Sequence, residues 1–208
     1  MAITKLNNNS ISAVTALPSA INVGSMTLIK TQTIDTANTI SAVDFINGTD
    51  GVVLDDTYDY YKFLFSNVHL NGDNQRVYCR MRRSGQSSFD SSSGSYFETG
   101  STTDSSISGF RTNTNNSIRI ISGGTDSANS ESNQSGELTV FNFNSTIHVC
   151  IVNHFVTSTD DDSSGFARVN VGTNYHMNSP TTANDGFRFF ASSGNFDTGT
   201  FSLYGVKA

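Results

Sequence analysis

Two kinds of side chain in this sequence could do chemistry: carboxylates in tight groups, and tyrosines beside amides. Asp160, Asp161 and Asp162 stand together in TSTDDDSSG, and Asp55 and Asp56 in LDDTYD. Adjacent hard carboxylate oxygens with serine hydroxyls and backbone carbonyls nearby form the donor set of a Ca²⁺ loop. The same residues in a turn cap local backbone N–H groups, and the spacing fixes no ligand geometry. Asp160, Asp161 and Asp162 are therefore the candidate metal ligands, weighed against a solvated turn. Tyr58 and Tyr60, with Tyr61, lie in DDTYDYYKFLF, and Tyr175 lies in GTNYH. Tyrosines next to Asn and Asp can stack on sugar rings while their neighbours bond hydroxyls, which makes Tyr58, Tyr60 and Tyr175 candidate ligand contacts. Tyrosine at a sheet rim or a subunit interface has the same sequence surroundings.

Catalytic patterns are missing from the sequence. It holds no G-x-S-x-G elbow, P-loop, H-E-x-x-H or EF-hand spacing. His148 and His154 differ by an even number of positions, which on one strand puts them on one face but about 20 Å apart, too far to share an ion. His69, before NGDN, and His176, in NYHMN, read as ordinary strand or surface histidines. A glycosidase pair could be drawn from the 18 acidic residues, but these stand mostly in turn-like contexts. The chain reads as non-enzymatic, with no cofactor. Cys79 and Cys150, far apart and in strand-like runs without C-x-x-C spacing, read as small buried hydrophobes, with a disulfide as the alternative.

Composition narrows the partners. Only 14% of the 208 residues are charged, against about 25% in ordinary globular proteins, and the net charge is −6. That balance argues against nucleic acid, whose phosphates require clustered Lys and Arg; the one basic cluster, RVYCRMRRSG, is short. The longest apolar stretch, IHVCIVNHFV, is interrupted by His and Asn and is too short to span a bilayer. No signal-like apolar N-terminus precedes the rest, so a soluble protein without membrane insertion is expected.

The elements that must position these residues are strands. SMTLIKTQ, TISAVDFI, YYKFLFSNVHL, QRVYCRMRR, SIRIIS, ELTVFNFN, TIHVCIVNHFV, FARVNVG, GFRFFASS and TFSLYGVK combine aromatic or β-branched residues with partial period-2 alternation. NGTDG, NGDN, SGG and DDDSSG separate them, and helical periodicity is weak throughout. The pattern predicts an all-β fold, an antiparallel β-sandwich of jelly-roll-like form, over residues 24–208. Val77, Cys79 and Met81 are expected inside, opposite Arg76, Tyr78, Arg80 and Arg82. The Ile147–Val152 run is apolar on both faces and reads as a central strand. Residues 84–136 are rich in Ser, Thr and Gly but carry Phe89, Tyr96, Phe97 and Phe110, which predicts long loops around one or two short strands, pinned by the aromatics. GFRFFASS and TFSLYGVK are joined by a turn-rich segment that permits a hairpin, with Phe187, Phe189, Phe201 and Leu203 facing one core. Ahead of the sandwich, residues 1–23 form an extended arm with isolated apolar positions Ile3, Leu6, Ile11, Val14 and Leu17 among Asn, Ser and Thr. Such a segment cannot bury enough surface alone and is expected to order on a neighbouring subunit or a larger assembly.

Three stretches carry a resemblance: MAITKLNNNSISAVTALPSA, then TYDYYKFLFSNVHL with RVYCRMRRSG, then the closing GTFSLYGVKA with Gly199, Thr200, Phe201, Leu203, Tyr204, Gly205 and Lys207. In that order they resemble the small β-sandwich virion proteins of tailed bacteriophages, notably marine ones. The resemblance implies a non-enzymatic virion structural protein made in the host cytoplasm and displayed on the virion surface. It would be a tail-fibre or receptor-binding piece, or a capsid decoration (cement) protein. The implied partners are other virion proteins through the arm, further copies in a homo-oligomer with a trimer favoured, and a host surface glycan or receptor. No catalytic residue can be carried over. A lectin-like carbohydrate-binding module is the reading from a different class.

Overall fold

The computed structural model describes residues 26–35, 39–73, 75–91, 94–102, 107–115, 117–120, 133–160, 166–176 and 182–207. Twelve strands run in chain order: β1 (Met26–Ile34), β2 (Ala42–Ile46), β3 (Tyr60–Leu70), β4 (Val77–Arg83), β5 (Gly94–Thr102), β6 (Ile107–Asn115), β7 (Ile118–Arg119), β8 (Gln134–Phe141), β9 (Ile151–Asp160), β10 (Phe166–His176), β11 (Asn184–Ala191) and β12 (Phe196–Val206). They form two antiparallel sheets, one of eight strands in the order β1-β12-β3-β8-β9-β10-β5-β6 and one of four in the order β2-β11-β4-β7.

The pairing is nested. β1 pairs with β12, β2 with β11, β3 with β8 and β4 with β7, which is a ribbon of strand pairs rolled upon itself, the jelly-roll arrangement. Two antiparallel pairs are inserted into this eight-strand roll: β5–β6 between β4 and β7, and β9–β10 between β8 and β11. β9 joins β8 and β10 joins β5, so both insertions extend the larger sheet on the side away from β1.

Alternation decides what is buried. On β3, Tyr61, Phe63 and Phe65 point inward and Tyr60, Lys62 and Leu64 outward. Asn67, at φ 52°, then breaks the register against β8, and Val68 and Leu70 are the next inward apolar residues. Val77, Cys79 and Met81 are buried on β4, as the alternation predicts. The sheets meet through phenylalanines: Phe63 stacks on Phe187 at 4.4 Å, Phe45 meets Phe63 edge-on at 5.3 Å, and Phe189 contacts Phe201 at 4.9 Å. Aromatic pairs of this geometry add about 0.5–1.5 kcal/mol each beyond the area they bury.

Three expectations need correction. β11 and β12 are consecutive, but they lie in different sheets, so Phe187 and Phe189 face Phe201 across the sandwich rather than beside it on a hairpin. Within residues 84–136 the chain forms the nine-residue strands β5 and β6, longer than short strands between loops; Phe89 does pin its segment, packing its ring 4.2 Å under the Arg188 guanidinium. Finally, β9 begins at Ile151 and, although interior to the sheet, has one clear inner face: Cys150, Val152, His154 and Val156 are buried, while Ile147, Val149 and Phe155 are exposed.

The closing strand follows the predicted register. Phe201 and Leu203 are fully buried and Tyr204 is partly exposed on the outer face. Phe201→Ala is expected to lower stability by about 3–5 kcal/mol, because its ring also contacts Phe65 and Phe196. Tyr204→Ala should cost less than about 1.5 kcal/mol. Denaturant unfolding of both variants beside the wild type checks this, and a reversed ranking would overturn the assigned faces.

Candidate functional site

Sheet register gathers the candidate tyrosines at one end of the molecule. Val206 of β12 pairs with Tyr60, Tyr60 with Phe141, Phe141 with Ile151, and Ile151 with Tyr175, so Tyr60 and Tyr175 occupy one cross-strand row. Three strand steps separate them, about 14 Å at about 4.8 Å per step. Tyr60 packs against Phe141 at 5.2 Å; for Tyr175 only the backbone position is described. Tyr58 stands two residues ahead of Tyr60 in the loop that caps this end.

Between that loop and residues 142–145 lies a cleft of about 200 Å³ lined by Asp56, Tyr58, Asp59, Tyr61, Asn142, Phe143, Asn144 and Ser145. Its walls are held from behind. The buried Tyr61 hydroxyl donates to the Asp55 carbonyl and accepts the Asp55 N–H at 2.8 Å, which ties the loop to β3; burial pushes this phenol's pKa up. Asp55 caps the turn: the Thr57 hydroxyl and its N–H, the latter at 2.9 Å, hold the carboxyl below the usual range. On the opposite wall, the Asn144 amide donates to the Leu54 and Asn184 carbonyls at 2.8 and 3.1 Å, and the Ser145 hydroxyl accepts the N–H groups of Ile147 and His148. The Tyr58 ring lies over the backbone of Gly205, where an added Cβ would come within 2.3 Å of ring carbons, and meets Tyr61 edge-on at 6.0 Å. Glycine is required there because the strand and the ring share that space. The result is a preorganised polar cleft with two carboxylates, amides and an aromatic wall, the equipment for binding a small polyhydroxylated group.

Other candidates lie elsewhere or are otherwise engaged. Asp160 ends β9 at the far end of the sheet, about 30 Å from the tyrosine row at about 3.3 Å per residue, and Asp161 and Asp162 lie outside the described residues. Asp160 and the tyrosine row therefore do not form one site. Among the described residues no group of three or more His, Cys, Asp or Glu is placed to hold a metal ion, and no helix is long and apolar enough to cross a membrane. The arm residues Ile3, Leu6, Ile11, Val14 and Leu17 also lie outside the described residues. The basic cluster on β4 is engaged by β11 and by the loop that follows β4: Arg82 binds Asp185 at 2.7 Å, Arg83 lies 2.8 Å from Asp90, and Arg80 covers the Phe190 ring. A second cavity, between β1 and β2, is bridged by Gln32 to the Asp44 carbonyl at 2.6 Å, and the Asp44 carboxylate is held bidentately by Arg188.

The histidines separate. His148 is exposed in the loop before β9, whereas His154 is buried on the inner face of that strand, so they do not share a face. His69 pairs with Asp197 at 3.0 Å. The residues that sequence reasoning missed, Asn142, Asn144 and Ser145, match no catalytic or ligand-binding motif; only the NFNST turn chemistry after β8 marks them. Comparison of the chain with protein families, curated proteins and solved structures finds no match.

Burial lowers the His154 pKa from 6.5 to about 4. A base whose folded pKa is depressed takes up its proton more readily in the unfolded chain, so its contribution is fully present above about pH 6.5 and is lost as pH falls toward about 4. The loss amounts to about 3 kcal/mol at most. Urea unfolding at pH 7 and pH 4.5 should show His154→Leu losing less stability on acidification than the wild type. Equal losses would remove His154 as a source of the acid sensitivity.

Proposed function

We propose that this chain is a non-enzymatic structural protein of a tailed-phage virion, an externally displayed jelly-roll knob held by its N-terminal arm and serving in a tail fibre that binds a host receptor. Capsid decoration is the neighbouring alternative within the same class. The observation that carries the reading is the seam through which the arm enters the fold. β1, which the arm precedes, is hydrogen-bonded along its length to β12, from Met26 opposite Val206 to Ile34 opposite Gly199, and β12 pairs on its other side with β3 in the middle of the core. A pull along the arm therefore loads that ladder in shear, all bonds together, rather than opening them singly. The rolled architecture, which also serves capsid and lectin domains, supports the same class at the level of analogy.

Removing residues up to Ala20 should leave a domain with unchanged melting behaviour that no longer enters particles. Normal incorporation of the truncated chain would sink the proposal. Copy number on a quantified gel of purified particles separates the two locations: up to some tens for a tail, hundreds for a capsid.

The cleft favours a second reading, lectin-like recognition of a glycan. Tyr58, Asp56, Asp59 and Asn142 supply a ring wall and hydroxyl partners, and Asp160 lies too far away to take part. Binding on a glycan array should then persist in chelator and be lost in Gly205→Ala, whose new Cβ displaces the Tyr58 ring. An array blank for the wild type would remove this reading. The two readings use one end of the molecule differently, because Met26 and Tyr60 stand in the same row. A tether there leaves the turns at residues 71–73 and 192–195 pointing outward.

A further inference from the structure

The inserted pair β9–β10 carries exposed apolar side chains on its outer face. On its outer face Phe155 and Val171 are direct register partners with 48% and 46% of their surface exposed, and Val169 follows on the same face of β10. In the loop ahead of β9, past the tyrosine row, Val149 and Ile147 are exposed as well. On the neighbouring β8, Glu137 stands opposite Phe155 with partly exposed Leu64 of β3 beyond it, and Phe141 stands in the tyrosine row. Single exposed hydrophobes are ordinary, but a contiguous cross-strand group is not.

The eight-strand roll is already closed by its nested pairs, and the insertions add nothing to that closure. What they add is width. We propose that the outer face of the eight-stranded sheet, including Phe155 and Val171, is the surface on which a second copy of this chain packs. This rests on the knob reading given above and locates the contact that its homo-oligomer requires.

Two features select a second copy as the occupant. The first is charge. The described outward side chains of β3, β8 and β9 include one cation and one anion, Lys62 and Glu137, and these pair with each other at 2.8 Å. A chain of net charge −6 meets its own copy with least repulsion on a face that is locally neutral. The second is size. From β1 to β10 the face is six strands wide, about 29 Å, and about 30 Å long, a footprint of about 900 Å² against the roughly 800 Å² that each partner buries in a stable interface.

The test uses the full chain in sedimentation or light-scattering measurements across a concentration series. The wild type should be larger than a monomer and should not dissociate in 0.5 M salt, roughly the range where the screening length falls to a few ångströms. Phe155→Lys with Val171→Lys should be monomeric with unchanged circular dichroism, while Ser193→Lys, on the far-end turn, should associate like the wild type. The lysines make the chain less negative, so loss of association cannot come from net repulsion. Should the double variant unfold, Phe155→Thr alone decides, since it keeps a strand-forming residue at a half-exposed site; at least a tenfold weaker association is expected. A wild type monomeric at every concentration, a salt-dissociated wild type, or outer-face variants that associate like the wild type would overturn the inference. A monomeric wild type that enters particles through its arm would overturn this inference alone and leave the knob reading standing.

Discussion

Everything in this molecule depends on phenylalanines from two sheets occupying one layer. Phe63 touches Phe45, Phe187 and Phe189 from the smaller sheet, while Phe201 reaches Phe65, Phe189 and Phe196. Their strands are distant in sequence, and only the nested pairing brings β2, β3, β11 and β12 within reach of one another. Each ring therefore depends on at least two ladders being in register, and each ladder is held by the rings it delivers. Such non-local closure makes folding slow, because loop entropy is lost before the contacts that offset it can form.

That mutual dependence explains what could and could not be read from the sequence. Alternation on β4 and β12 placed Val77, Cys79, Met81, Phe201 and Leu203 inside because the opposite positions are polar or bulky and amphipathic. The same logic is degenerate for Ile147 to Phe155, where both parities are apolar; burial there is settled by which face the smaller sheet covers, not by composition. β5 and β6 were hard to see because Gly, Ser and Thr dominate them, and their strand character comes from pairing with β10 and each other. Whether β11 and β12 form a hairpin or cross between sheets is likewise set by the roll, since a turn such as SSGN suits either path.

The cleft shows the same division. Tyr58 and Tyr60 announced themselves by type and neighbours, but their shared end of the sheet emerges only from the register running through β12, β3, β8, β9 and β10. Asn144 was illegible because its part is played at a distance, against the carbonyls of Leu54 and Asn184. Rigid walls assembled this way cost no ordering entropy at the moment of binding, which suits a small polar ligand with few atoms to contribute.

The two thiols give the molecule an internal chronometer. Cys79 enters the core from the smaller sheet and Cys150 from just ahead of β9, both buried and unbridged, and burial raises both pKa values. Since the thiolate is the reactive form and neither sulfur meets solvent, a reagent in the medium can modify them only after the sandwich has opened. The pace of their modification thus measures how often the two sheets part, with no substitution needed to introduce a probe.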